Sequence, residues 1–332
     1  MTETVAIRLA AILATVALGW IAARAGWLGR GAAGRGAAGR DTTAADLLGK
    51  AAFHLFVPAL LFRTMVRLDL STMPWRLLAA YFVPAVAFTL LVYAWQRRRR
   101  PARAAEAATR SVAIVYGNGV QLGIPMAAAL FGEAGLALHV ALVSMHGLVL
   151  LTLLTVLVES DLARASGGRT HWQTLRSTVR STVLHPVMLP VLLGLAYQLT
   201  GLGLHPVLDQ TLQGLGSAVV PLCLVLIGVS LAAYGVQGSL WGAVQVALLK
   251  LLALPALVLL VAHQGFGLQG MPLAVLVMMA GLPVGSNALI FAQRYQVLQA
   301  ESASAIVIST VAFAATSTLW LAVLGASGLL SG

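Results

Sequence analysis

Ten apolar runs, each near the roughly 20 residues that a helix needs to cross a hydrocarbon core, set the first limit on what this chain can fold into. They cover about Val5 to Gly26, Ala45 to Phe62, Leu77 to Trp95, Ser111 to Phe131 and Leu136 to Val158, then Val183 to Leu199, Gly214 to Ala233, Leu240 to Val261, Leu273 to Ala292 and Ala303 to Leu324. Inside lipid every main-chain N–H and C=O must find a partner within the protein, and a helix pairs them locally. With 59% hydrophobic residues, 9% charged residues and a mean hydropathy of +0.91, the chain has lipid as its main solvent. The expected fold is an all-α polytopic membrane protein of ten transmembrane helices. Met1 to Thr4 is polar, carries Glu3 and leads into a run of full length, so the first helix is expected to be retained and not cleaved. The single cysteine, Cys223, excludes an internal disulfide and a cysteine metal cluster, and its apolar surroundings suit core packing.

Two of the runs are interrupted. Residues Tyr116 to Pro125 read YGNGVQLGIP, and Ala280 to Asn287 read AGLPVGSN. Glycine gives up helix stability, and proline removes a donor and blocks the turn before it. Irregular backbone at membrane depth persists only where it is buried in protein or lines a polar cavity. For one such segment a kink repaired by neighbouring helices explains the pattern as well as a binding site does. Two of them in matching positions favour one shared site, made of exposed backbone dipoles and amide side chains. Its candidates are Asn118, Gly119, Gln121 and Pro125 from the first segment, and Pro283, Ser286 and Asn287 from the second.

The halves of the chain are expected to be related. The basic connection Glu159 to Arg180, with Gly167 and Gly168, separates a first repeat at about 5–158 from a second at about 183–325, with a cytoplasmic linker at 159–182. Five crossings per half is an odd number, so the second half starts from the opposite side and any similarity is an inverted repeat within one transmembrane domain. Pro58 and Pro221 stand 163 apart, Asn118 and Pro283 165 apart, and Pro125 and Asn287 162 apart, as a duplicated unit requires. The near-repeat GRGAAGRGAAGR after the first run has too few apolar groups to fold and is read as a flexible loop.

Charge gives the orientation. Arg30, Arg35, Arg40 and Lys50 lie in one connection, Arg97 to Arg100, Arg103 and Arg110 in another, and Arg164, Arg169, Arg176 and Arg180 in a third, all on the same side as Arg294. The other side holds Arg63, Arg67 and Arg76, so the arginine-rich side is expected in the cytoplasm and both termini outside. The net charge of +11 therefore belongs to topology and to anionic lipid headgroups. Nucleic acid is not an expected partner, because no soluble module is left to bind it.

Polar residues within the runs mark where function lies. Besides the interrupted segments they include His54, Ser144, His146, Gln245 and Lys250, with no carboxylate. Lys250 supplies the positive charge an organic anion needs, or else it caps backbone carbonyls freed by the second interruption or sits there uncharged. His54 and His146 are further candidates, against the plainer reading of a satisfied interhelical hydrogen bond. Ser144 and His146 lie two apart and do not share a helix face, and no catalytic or nucleotide-binding spacing appears, so an enzyme is not expected. Neither is a metal or a cofactor.

The segments GNGVQLGIPMAAALFG and LPVGSNALIFAQRYQ, together with PALLF at Pro58 and PLCLVLIGVSLA from Pro221, resemble the auxin efflux carrier family over nearly the whole chain. The resemblance implies two inverted five-helix repeats with helices 4 and 9 broken and crossing, a fold shared with sodium/bile-acid symporters. It implies that Asn118 and Asn287 contact substrate, that Pro125 and Pro283 lie at the breaks, and that helices 1, 2, 6 and 7 form a scaffold past which the other six move. Tyr81 and Pro84 stand where plant members carry an Asp and a Lys, and His146 where they have a Gln. The expectation is a secondary carrier of a small organic anion such as a carboxylate, a homodimer in a bacterial cytoplasmic (inner) membrane. The alternative is a sodium- or proton-coupled symporter on the same fold.

Overall fold

The computed structural model describes residues 2–28, 44–67, 75–99, 105–166, 188–234, 239–326 and 329. The near-repeat at 29–40 and residues 167–182 of the linker lie outside them.

In chain order the helices are α1 (Thr2–Arg24), α2 (Ala44–Ala51), α3 (Val57–Val66), α4 (Trp75–Arg99), α5 (Glu106–Val115), α6 (Ile124–His146) and α7 (Thr152–Ser166). Then follow α8 (Met188–Gln198), α9 (Pro206–Ser217), α10 (Val219–Tyr234), α11 (Leu240–Leu248), α12 (Leu254–Leu260), α13 (Gly270–Gly281), α14 (Ser286–Arg294) and α15 (Gln299–Ala326). Among the described residues six helical segments are long and apolar enough to cross a membrane, although one of them, Gly119–His146, is kinked at Gly132, whose backbone (φ 66°, ψ −160°) is not helical; no strand is present beyond one isolated bridge. The protein is thus an all-helical, multi-pass membrane protein. Helix α7 runs to Ser166, so the first part of the expected linker continues the fifth apolar run.

Proline shapes several of these helices in one way. Wide π-helical turns at Ala52–Phe56, Gly119–Gly123 and Leu249–Ala253 each end just before a helix whose second residue is proline: Pro58, Pro125 and Pro255. A proline ring collides with the carbonyl four residues back and offers it no N–H, and widening the preceding turn relieves both problems without breaking the helix. Pro125 is therefore accommodated inside a helix. The true interruption of the fourth run falls earlier, at Tyr116–Asn118.

The chain forms two compact units. The first comprises residues 1–73, 120–144 and 185–235; the second comprises 74–119, 145–184 and 236–332. In the first unit α1 packs on α10 and α3 packs on α8. A methyl group at Gly19 would lie 2.2 Å from the Val225 carbonyl oxygen, and one at Gly194 would lie 2.7 Å from that of Phe62. Small residues let membrane helices approach this closely, where van der Waals packing is the main attraction left. Arg63 adds a two-pronged pair with Asp209, at 2.9 and 3.3 Å.

In the second unit α13 is buried on every side, from Leu273 through Gly281, as a helix apolar all round must be. The end of α4 is fixed by two charged clusters. Tyr93 Oη donates to Asp161 Oδ1 at 2.7 Å, and Arg97 reaches the same oxygen at 2.7 Å. Arg110, on α5, grips Glu301, in the first turn of α15, through Nε–Oε1 at 2.8 Å and Nη2–Oε2 at 2.7 Å, and also donates to Gln96 Oε1. Glu301 is 7% and Arg110 9% exposed, so this pair sits in the protein and not in a solvated loop. The sequence had placed Arg110 among topology-setting loop charges; its partner 191 residues away accounts for the difference.

Removing one member of a buried pair leaves the other charged and unsolvated, at a cost of about 3–5 kcal/mol. We predict that Glu301→Gln lowers the apparent Tm of the purified protein accordingly, and that Arg110→Met combined with Glu301→Met recovers most of the loss. A single variant as stable as the parent would show that the pair contributes nothing.

Candidate functional site

The two interrupted segments meet within the second unit. Helix α5 ends at Val115, and Tyr116, Gly117 and Asn118 run extended beside Leu282, Pro283, Val284 and Gly285, which follow α13. Gly117 and Val284 form an antiparallel bridge. Asn118 N donates to the Pro283 carbonyl at 2.8 Å, and Gly285 N donates to the Tyr116 carbonyl at 3.0 Å. These bonds replace helical bonds that the interruptions remove. The proline at 283 is placed so that its missing N–H costs no bond, since only its carbonyl is used.

The crossing is tight because both chains carry glycine there. A methyl group at Gly285 would lie 2.8 Å from the Gly117 carbonyl oxygen and 3.0 Å from its carbon. Val284 N donates to Ser309 Oγ at 3.0 Å, and that hydroxyl donates onward to the Ile306 carbonyl at 3.2 Å, which ties the crossing to α15. Helix α14 then starts at Ser286, with its first N–H groups directed back toward the interruption.

Lys250 lies at the same place. It is fully buried in the π-helical turn Leu249–Ala253, and its Nζ donates to the Ala280 carbonyl, one of those left over where α13 ends. A methyl group at Gly117 would be 3.2 Å from Nζ, so the ammonium group touches both interrupted segments. The turn that holds it is braced by Trp320, whose indole Nε1 donates to the Leu251 carbonyl at 2.8 Å. Both roles weighed for Lys250 from the sequence are compatible with this position, since the carbonyl it caps is itself at the crossing.

An aromatic cluster forms one wall. The His146 ring stands 4.4 Å from that of Tyr116 and 5.9 Å from that of Tyr81, centroid to centroid. The Tyr116 side chain is hydrogen-bonded to Asn287. Asn118, Gly119, Pro283, Ser286, Asn287, His146 and Lys250 thus all belong to the second unit. Gln121 and Pro125 belong to the first, Gln121 half-buried in the turn Gly119–Gly123 and Pro125 buried in α6. His54 is exposed in the first unit, its Nδ1 within 3.0 Å of the Lys50 carbonyl of its own helix. The Ser144 hydroxyl donates to the Ala141 carbonyl at 2.7 Å, so it is spent within its helix.

Sequence reasoning passed over Ser309 and Trp320, and it named Tyr116 and Tyr81 without choosing them as site residues. Tyr116 was readable as the residue that opens the first interruption. The other three look like ordinary core residues until the partners that the fold gives them are known.

An all-helical membrane protein in which two broken helices pair through their backbones beside a buried lysine is built to present polar groups within its helices, which is the arrangement of a transport protein. The chain belongs to the membrane transport protein family, that of the auxin efflux carriers, whose model matches residues 4–321. No curated protein matches the chain.

We predict that Gly285→Ala destabilises the protein by about 1–3 kcal/mol, the usual cost of overpacking, because backbone atoms cannot step aside. Gly214→Ala, in a helix with open space around it, should be neutral or stabilising by up to about 1 kcal/mol. Thermal unfolding of both variants in the same detergent reads the difference; equal behaviour would contradict the tight crossing.

Proposed function

We propose that this protein is a secondary carrier of a small organic anion such as a carboxylate, with the substrate bound where the two interrupted helices cross. The observation that carries this is the position of Lys250 at the paired breaks, which puts a buried amine against Gly117 and the Ala280 carbonyl. A carboxylate accepts several hydrogen bonds, and those from charged or well-oriented donors are the strongest. Asn118 and Asn287 supply amide hydrogens, the start of α14 supplies free N–H groups and a positive dipole end, and Lys250 supplies charge.

The chain crosses the membrane ten times in this reading, as two inverted repeats. The helix pairs of the first unit support it, since exchanging spans 1 with 6 and 2 with 7 turns the α1 and α10 pair into the α8 and α3 pair. The close approaches agree. Gly19 faces Val225 and Gly194 faces Phe62, and Val225 and Phe62 stand 163 apart, as do Pro221 and Pro58. Transport follows elevator-type alternating access, with spans 1, 2, 6 and 7, which group in the first unit, as scaffold and the other six as the moving body, although residues 120–144 of spans 4 and 5 also group with the first unit. The make-up of the units supports this, since the crossing and its bracing helices α4, α11, α12 and α15 all fall in one of them. The membrane is the bacterial cytoplasmic one, with both termini outside.

A sodium- or proton-coupled symporter is the other reading. Against it, the two buried carboxylates among the described residues, Asp161 and Glu301, are each already bonded to an arginine. Coupling to a cation commonly uses an acid that is available to bind it.

We predict that Asn118→Ala combined with Asn287→Ala abolishes carboxylate flux in proteoliposomes while the protein still elutes as a folded species. Flux in the parent should follow the membrane potential and be indifferent to a sodium gradient. Unchanged flux in the double variant would remove both asparagines from the site, and flux that scales with the sodium gradient would favour the symporter.

A further inference from the structure

Tyr81 lies on α4, and its hydroxyl is fully buried with no hydrogen-bond partner among the described residues. A phenol hydroxyl left in this state forgoes the hydrogen bonds it would make to water, and a phenylalanine would fill the same space without that penalty. The surroundings are not those of an idle core residue. The Tyr81 ring stands 5.9 Å from that of His146, which in turn stands 4.4 Å from that of Tyr116. The Tyr81 hydroxyl is within electrostatic reach of Tyr116, whose own side chain is engaged with Asn287. Three residues further along α4, Pro84 removes the N–H that would have capped the Ala80 carbonyl, so this turn of the helix is polar on two counts.

We propose that Tyr81 is a substrate-contacting residue, whose hydroxyl donates a hydrogen bond to a carboxylate oxygen of the anion held at the crossing. The inference rests on the carrier reading of that site and adds to it a donor from a third helix. Asn118 and Asn287 come from the broken helices and Lys250 from the turn before α12. Tyr81 reaches the same region from α4, and its hydroxyl has no hydrogen-bond partner among the described residues. A carboxylate has two oxygens and about four acceptor sites, so a donor from this side takes up capacity the asparagines leave.

The test uses the purified full-length protein and the Tyr81→Phe variant, titrated separately with acetate, malonate, benzoate and indole-3-acetate while the apparent Tm is recorded. Ligand that binds only the folded state raises Tm in proportion to its affinity. The expected result has two parts of opposite sign. Without anion the variant is as stable as the parent or more so, because a buried unsatisfied hydroxyl has been removed. With the anion that stabilises the parent most, the variant needs on the order of tenfold more for the same half-maximal shift, the effect of losing one hydrogen bond to a charged group. A variant that titrates at the parent's concentration overturns the inference and leaves the carrier reading standing. A variant less stable than the parent without anion also overturns it, because the hydroxyl would then be structural. A parent that none of the four anions stabilises counts against the carrier reading itself, and the inference falls with it.

Discussion

The rule that no main-chain N–H or C=O may be left unpaired in hydrocarbon governs this structure more than any single contact. Breaking a helix at membrane depth frees several such groups at once. The protein meets the demand by setting one break against another, so that Tyr116 and Asn118 complete the bonds that Pro283 and Gly285 lack in their own helix. Side chains deal with what remains: Ser309 takes the Val284 N–H, Lys250 the Ala280 carbonyl, and Trp320 the carbonyl loosened by the wide turn at Leu251. The side chains gathered at the crossing include the amides of Asn118 and Asn287 and the Lys250 amine.

The second demand is rigidity around that crossing. Glycines 117 and 285 allow the two chains to approach but provide no side-chain packing of their own, so the hold must come from elsewhere. It comes from α13, buried on every side, and from the charged clusters at the end of α4, where Arg110 joins Gln96 and Glu301 and Arg97 joins Asp161. These clusters bring the ends of the third and fifth apolar runs to the starts of the fourth and tenth.

Much of this was legible in the chain before folding. Run length and apolarity mark out the helices, since the bilayer permits little else. The paired motifs around Asn118 and Asn287 mark the two segments that meet, because glycine, proline and amide residues together are costly in lipid unless they are paired. What stayed hidden depends on distance along the chain. Arg110 reads as a loop charge until Glu301 is seen against it. Tyr81 and Trp320 read as core aromatics because nothing local distinguishes a hydroxyl or an indole N–H with a special neighbour from one without. Pro125 was read as a break, yet a wide turn just before it lets the helix continue, and the interruption moves to Tyr116–Asn118.

An experimental density map of the protein in lipid nanodiscs, recorded with a saturating carboxylate, bears most directly on this account. The account predicts extended backbone at residues 116–118 lying against 282–285, with the anion's density in hydrogen-bonding range of Asn118, Asn287 and Lys250. Two helices running unbroken through these positions, or an anion seated away from them, would contradict it.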